Sequence, residues 1–189
     1  MLPRYAAEPI FTRVAAANRH ERMVEIRTAR LLLRPASMDD VPAFHGILSD
    51  PVVTRFWSTP PHQDEAETRH WVAAMMAIGP GEGEDFAIEQ DGRVIGKMGL
   101  FRFPEIGFIL HRDAWGQGYA REALNPVLDR AFSVHGLPGI EADVDPRNTA
   151  SLQLLHRAGF EETGRASRTW NLGGVWSDSV YLLLQNGLV

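Results

Sequence analysis

The stretch WGQGYAREALNPVLDRAF, residues 115–132, limits the folds open to this chain because it joins the end of a strand-like segment to an amphipathic helix. After Gly116 and Gly118, apolar residues return every three or four positions, which is the spacing of one helical face. That face consists of Ala120, Ala123, Leu124, Val127, Leu128, Ala131 and Phe132. A single apolar face has to be covered, so we expect this helix to pack on a sheet. Pro126 falls inside the helix and predicts a kink near residues 122–126.

Strand-like and helix-like segments alternate along the rest of the chain. The patterns predict strands at 26–34, 85–90, 93–101, 105–110, 139–144, 160–170 and 176–184, and helices after Ser37, at 64–77 and at 148–158. This order predicts an α/β fold, one mixed sheet flanked by helices. We divide the chain into an N-terminal extension, residues 1–22 with a short helix-like run at 11–20, and a single domain, residues 23–189.

Composition narrows the function classes. The 189 residues are 44% hydrophobic and 23% charged, values typical of one globular domain. No cysteine is present, which excludes disulfides and thiolate chemistry. We see no secretory signal and no membrane-length apolar run, so a cytoplasmic location without a membrane partner is expected. The net charge of −5 disfavours nucleic acid as a partner and suits a basic or amine-bearing substrate. His62 and His70 lack the spacing of a helical metal motif, and no metal is expected.

The two glycines have two interpretations at this stage. The first amides of a helix lack internal partners and carry partial positive charge. Glycines leave such amides uncovered, which suits an anion and above all a pyrophosphate. The alternative is that they serve turn geometry alone. A Rossmann fingerprint is excluded because Arg121 occupies the position of its third glycine, and no Gly-Lys-Ser/Thr triplet exists for a P-loop.

Two longer segments resemble a known family. EIGFILHRDAWGQGYAREAL (105–124) and DVDPRNTASLQLLHRAGFEETG (143–164) are similar to the GNAT superfamily of acyl-CoA-dependent N-acetyltransferases, and in particular to its RimJ/RimL-like branch of ribosomal-protein N-terminal acetyltransferases. TARLLLRP (28–35), SDPVVTRFW (49–57) and WSDSVYLLL (176–184) extend the resemblance over residues 26–184.

The resemblance implies a fold and a cofactor site. The sheet is expected to be mostly antiparallel and splayed between its fourth and fifth predicted strands, 105–110 and 139–144, with Gly107 permitting a bulge. Acetyl-CoA is the implied co-substrate, and no metal is implied. A backbone amide near Ile109 or Leu110 would polarise the thioester carbonyl. The residues implied in cofactor binding are Phe108, Ile109, Leu110, Gln117, Gly118, Tyr119, Ala120, Arg121 and Asn148, of which Asn148 has a helix cap as its alternative role.

The implied reaction is direct transfer of an acetyl group to a primary amine. Glu105 is the candidate base, with a solvent-facing charge as the alternative. Ser151 is the candidate acid, with an ordinary first-turn serine as the alternative, and Leu155 replaces the tyrosine that many relatives use for this step. Arg55 and Trp57 are candidates for contact with the acceptor, which segments 49–57 and 164–176 are expected to flank.

The identity of the acceptor stays open. A peptide N-terminal α-amine or a small-molecule amine leads, because an α-amine with a pKa of about 7.7–8.0 is partly neutral at cellular pH. Aminoglycoside or amino-acid acetylation and non-catalytic acyl-CoA binding are the alternatives. The oligomeric state is left open between a monomer and a homodimer.

Overall fold

One eight-stranded sheet, ordered β1-β2-β3-β4-β5-β6-β8-β7, forms the centre of the computed structural model, which describes residues 24–172 and 174–187. The strands are β1 (Ile26–Arg27), β2 (Leu32–Arg34), β3 (Glu84–Gln90), β4 (Arg93–Arg102), β5 (Glu105–Leu110), β6 (Gly139–Val144), β7 (Glu161–Leu172) and β8 (Val175–Gln185). The helices are α1 (Val41–Leu48), α2 (Glu65–Met76), α3 (Tyr119–Ser133) and α4 (Thr149–Arg157), with 3-10 turns at Met38–Asp40, Thr54–Phe56 and Arg112–Ala114. The predicted mixed sheet flanked by helices is confirmed.

The first predicted strand differs from the structure, because 26–34 is divided into β1 and β2. Thr28 closes a turn between them: its amide donates to the Leu31 carbonyl at 2.9 Å, and its hydroxyl accepts from the Leu31 amide at 3.0 Å. The two halves then pair antiparallel with each other. The predicted extension 1–22 and its helix-like run lie outside the described residues.

The sheet carries helices on both faces and therefore has two cores. The larger core lies under α3 and α4, where Leu124 and Leu155 are fully buried. The smaller core lies under α1 and α2, and the strands add Ala87 and Ile109 to it. Neighbouring strand residues alternate between these cores because successive side chains point to opposite faces.

β5 and β6 form the parallel pair of the described sheet, and they separate almost at once. Their single register pair is Glu105 with Glu141, next to a hydrogen bond from the Glu141 amide to the Pro104 carbonyl at 3.0 Å. Beyond it the strands diverge, as the resemblance implied. We call the space between them the gap. α3 follows β5 and α4 follows β6, so both helices begin beyond the open end of the gap.

A tight turn and a proline are the notable local features. Asp91 and Gly92 adopt φ values of 49° and 77°, which suits a two-residue hairpin turn between β3 and β4. α3 continues through Pro126, while the kink there stays a prediction. Among the described residues, no helix combines the length and apolarity needed to cross a bilayer.

Candidate active site

The glycine loop leaves backbone donors uncovered at the start of α3. Gly116 and Gly118 have φ values of 72° and 81°, in the left-handed region that side chains disfavour. Gly118 is the N-cap residue and has no side chain to cap the helix. The amides of Tyr119, Ala120 and Arg121 therefore donate to no acceptor within the described part of the chain. Together with the helix dipole they form a site for an anion.

Arg30, which sequence reasoning did not select, adds a cation beside this loop. Its Nη1 donates to the Gln117 carbonyl at 3.0 Å, and its guanidinium lies 4.5 Å from the centre of the Tyr119 ring. A Cβ added to Gly118 would lie 3.5 Å from Arg30 Nη2. The TARLLLRP segment gave Arg30 no role of its own, because its contact with the glycine loop joins residues 87 positions apart and depends on the β1–β2 turn.

Glu122 fastens the β1–β2 turn to the first turn of α3. Its carboxylate accepts from the Thr28 hydroxyl at 2.6 Å and from Arg30 Nε at 2.7 Å. The hydrogen bond from Thr28, with weaker help from Arg30, holds the pKa of Glu122 below its ordinary value. The glycine loop is thus braced from outside its own helix.

β5 offers its backbone to the gap at alternate residues. The His111 amide donates to the Ile95 carbonyl at 2.7 Å and Ile109 pairs with Lys97, so these β5 positions bond to β4. The backbone groups of Phe108 and Leu110 consequently point away from β4, toward the gap. The Leu110 carbonyl accepts from Trp115 Nε1 at 3.0 Å, which leaves the Leu110 amide as the donor there.

This register corrects one predicted contact. Ile109 was expected beside the pantetheine arm with its two neighbours. Its amide instead belongs to the ladder with β4, and its side chain lies in the smaller core. Of the two amides expected to polarise the carbonyl, the Leu110 amide is the one that faces the gap, and its role stays a prediction.

The expectation for Gly107 is also corrected. The irregularity beside it places the extra residue on β4, between Gly99 and Arg102. A Cβ added to Gly107 would lie at an ordinary contact distance, 3.5 Å, from the ammonium nitrogen of Lys97. Lys97 is the chain's single lysine, only 2% exposed, and pairs with Asp85 at 2.9 Å. Burial raises the pKa of Asp85, and Lys97 partly offsets it.

Ser151 and Asn148 lie at the start of α4, beyond the end of β6. Asn148 Oδ1 accepts from the Ser151 amide at 3.2 Å, so Asn148 acts as the helix cap. Its oxygen is thereby occupied, which leaves the side-chain amide for any contact with a cofactor. Ser151 is half-buried at the third position of the helix.

Glu105 lies at the closed end of the gap. Its carboxylate is 16% exposed and forms an ion pair with Arg102 Nη2 at 2.7 Å. By alternation Glu105 points to the face of the sheet that carries α1 and α2. Its role as a base stays a prediction.

Arg147 connects segment 49–57 with Ser177, the residue that follows segment 164–176; these are the two segments predicted to flank the acceptor. Arg147 lies 5.7 Å from the Phe56 ring and donates to the Ser177 hydroxyl at 2.8 Å, one residue beyond the second segment. Trp57 lies 5.5 Å from the ammonium of Lys97. Arg55 stacks on Phe56 at 5.1 Å.

Asp143, which sequence reasoning did not select, lies beside the gap on β6. Its Oδ2 accepts from Trp170 Nε1 at 3.2 Å, while its Oδ1 is buried without a donor among the described residues. Burial raises the pKa of Asp143, while the neighbouring Ser179 and Trp170 side chains act in the opposite direction. The sequence does contain a signal for Asp143, because an aspartate inside a strand predicted to be buried is unusual.

Comparisons with known proteins agree with this geometry. The sequence profile of the acetyltransferase (GNAT) domain matches residues 30–161. The uncharacterized N-acetyltransferase p20 of Bacillus licheniformis is 32% identical over 151 residues, 75% of this chain and 85% of that protein.

Two solved structures share the fold. One is RimL, the ribosomal L7/L12 α-N-protein acetyltransferase, in complex with coenzyme A, with a TM-score of 0.78 and 20% identity over 86% of this chain and 98% of that one. The other is spermidine N-acetyltransferase from Vibrio cholerae in complex with CoA and spermine, with a TM-score of 0.73 and 21% identity over 84% of this chain and 96% of that one.

Proposed function

The chain belongs to the GNAT family of acetyl-CoA-dependent N-acetyltransferases, and we propose that its acceptor is the primary amine of a protein N-terminus or of a small molecule. The observation that carries this proposal is the Leu110 amide, a backbone donor left over in the gap beside a donor-lined glycine loop. The loop amides and Arg30 would hold the cofactor's pyrophosphate. When bound, acetyl-CoA supplies an activated acetyl group as a thioester.

Three residues of the chain then have separate roles in acyl transfer. The acceptor nitrogen attacks the carbonyl carbon, and the Leu110 amide stabilises the negative charge that develops on the carbonyl oxygen. Glu105 accepts the proton that the nitrogen loses. As the carbon–sulfur bond breaks, the Ser151 hydroxyl donates a proton to the departing thiolate. Glu105 releases its proton to solvent and Ser151 regains one from solvent, so both residues return to their starting forms. The products are an amide and free coenzyme A.

Binding of the cofactor can be tested separately from turnover. At a free ligand concentration of about 100 Kd, binding stabilises the folded state by about 2.7 kcal/mol. For a domain of this size, acetyl-CoA should raise the melting midpoint by roughly 5–10 °C. NAD and ATP at the same concentration serve as controls and should leave the midpoint unchanged.

Turnover is tested with a panel of acceptors, monitored by thiol release and product mass. The panel contains a peptide with a free α-amine, spermidine, a free amino acid and an aminoglycoside. We expect at least one amine to be acetylated, with one thiol released per product. Binding of acetyl-CoA without any acetylated product would contradict the proposal and favour an acyl-CoA-binding module.

A further inference from the structure

Asp143 lies where an acceptor entering the gap would meet β6. It is two residues beyond Glu141, the last β6 residue paired with β5, and by alternation it points to the same face. Its neighbours Ala142 and Val144 point to the other face, into the larger core under α3. Asp143 thus belongs to the α1–α2 face, the face to which Glu105 also points.

An irregular part of β7 builds the surroundings of Asp143. Ala166 pairs with Ser179 and Trp170 with Ser177, so four positions along β7 correspond to two along β8. Arg168, inside this bulge, has φ 58° in the left-handed region, which is strained for a residue with a side chain. Bulges beside active sites commonly redirect side chains.

The bulge places one polar side chain against Asp143 and a second against its neighbour Ser179. Trp170 gives its indole N–H to Asp143 Oδ2 at 3.2 Å. The Thr169 hydroxyl shares a 2.7 Å hydrogen bond with the buried Ser179 hydroxyl, which lies beside the same carboxylate. One oxygen of Asp143 is therefore held in a fixed direction.

The other oxygen lacks a donor. Oδ1 is buried and accepts no hydrogen bond from the described residues, an arrangement that costs free energy in the absence of a ligand. The guanidinium of Arg147 is engaged by Asp145 and Ser177. The carboxylates of Glu105 and Asp145 are close enough to act on Asp143 and add negative charge. A cationic donor from outside the chain fits these surroundings.

We propose that Asp143 is the acceptor-binding residue: Oδ1 binds the ammonium form of the acceptor, so that the site selects aliphatic amines over uncharged ones. This assignment rests on the proposed function and deepens it, because it names the chemical class of the acceptor. An aliphatic ammonium group has a pKa near that of lysine, about 10.4, and arrives charged at neutral pH. It loses one proton to solvent before the nitrogen attacks, and Glu105 then accepts the second proton as the amide forms.

The test compares Asp143→Asn with Asp129→Asn, which removes an exposed carboxylate from α3 on the other face. CoA-saturated protein is titrated with spermidine and L-alaninamide as cationic probes and with aniline as an amine uncharged at pH 7.5. Acetyl-CoA affinity and the acceptor KM are measured in parallel. Asp143→Asn should weaken binding of both cationic probes and raise the KM at least tenfold. Aniline binding and acetyl-CoA affinity should stay within twofold, and Asp129→Asn should match the wild type.

Asp143→Glu provides a second variant, which restores the charge and should recover part of the affinity for the cations. Equal losses for aniline and for the cations, or an unchanged affinity for the cations in Asp143→Asn, would overturn the assignment. If the wild type binds the cations through Asp143 but makes no product, the proposed function fails and this assignment stands. If product forms and the KM of Asp143→Asn is unchanged, the proposed function stands and the assignment of Asp143 fails. If no cationic probe binds or reacts, both fail.

Discussion

The two sides of the gap differ in the polar groups that they present, because one side presents backbone amides and the other presents side chains. On the β5–α3 side the donors are backbone amides, exposed because Gly118 has no side chain and because β5 turns Leu110 away from β4. On the β6–β8 side the polar groups are side chains, and the bulge in β7 holds Trp170 against Asp143. The first side suits a cofactor shared by a whole family, whereas the second can change its specificity one residue at a time.

The two sides should therefore respond differently to substitution. On the backbone side only a change in local conformation or a new side chain over the amides can weaken binding. On the side-chain side a single isosteric change of charge is sufficient. The predictions below test this division, beginning with the largest effect.

Ser151→Ala should lower kcat about 10²-fold, because it removes the proton donor to the leaving thiolate. Acetyl-CoA affinity should stay within a few-fold, since the phosphates rest on amides of the other helix. Steady-state kinetics with a confirmed acceptor, together with calorimetric titration of the cofactor, measures both. Thr149→Ala, an exposed position in the same helical turn, is the control. A kcat equal to that of the wild type would remove Ser151 from the mechanism.

Glu105→Gln should lower the rate about tenfold at pH 6.5 and less at pH 8.5. At low pH the acceptor is mostly protonated and depends on a base, whereas at high pH part of an α-amine is already neutral. A profile of kcat/KM against pH tests this. Glu141→Gln, the exposed partner of Glu105 across the β5–β6 pair, is the control. Parallel profiles for Glu105→Gln and the wild type would show that Glu105 is no base.

Gly118→Val should weaken acetyl-CoA binding at least tenfold, which corresponds to about 1.4 kcal/mol. Two effects combine in this variant, because valine covers the amides and is also strained at φ 81°. Gly136→Val introduces similar strain at φ 61°, beyond the other end of α3, and should leave the affinity unchanged.

Gly118→Asn separates the two effects, since asparagine tolerates the left-handed conformation while still placing a side chain over the amides. We expect it to weaken binding as well. Wild-type affinity in Gly118→Asn would mean that the glycine serves turn geometry alone. Calorimetric titration of each folded variant decides between these outcomes.

The smallest expected effect is a pH dependence of stability with opposite sign on the two sides. Hydrogen bonds from Thr28 and Arg30 lower the pKa of Glu122, so its contribution is present above its unfolded pKa and is lost as pH falls through the folded value. Glu122→Gln should thus be less stable than the wild type at pH 7, by at most about 1 kcal/mol, and the difference should vanish toward pH 3.

Burial raises the pKa of Asp143, so its charged form destabilises the folded state and acid relieves this cost. Asp143→Asn should be at least as stable as the wild type at pH 7 and should lose any advantage as pH falls. Urea unfolding between pH 3 and pH 7 measures both differences. Differences of the same sign for the two variants would contradict the contrast between the sides.

The backbone side was largely predictable from sequence, because local rules determine it. From β3 onward, strands and helices begin and end within a few residues of their predicted bounds, and Gly118 is the N-cap of the helix that the apolar period predicts. Three features on this side were not predicted, because they depend on how strands and turns pair with one another. They are the turn at Thr28, the approach of Arg30 and the register that removes Ile109 from the gap.

The side-chain side was less predictable. The two extra positions of β7 break its alternation and bring Trp170 to Asp143, and no local pattern announces such a bulge. Trp176, a large aromatic residue, is 45% exposed, and the guanidinium of Arg168 lies 5.0 Å from the centre of its ring. The role of Ser151 as an acid is implied by the family resemblance. Its position at the start of α4 is compatible with that role, which stays a prediction.

The division between a backbone-built cofactor side and a side-chain-built acceptor side is tested most directly by one paired measurement. Acetyl-CoA affinity and acceptor KM are determined together in Gly118→Asn and in Asp143→Asn. We predict that Gly118→Asn weakens acetyl-CoA binding and leaves the acceptor KM, at saturating cofactor, within twofold. Asp143→Asn should do the opposite. Similar changes of both quantities in both variants would contradict the account.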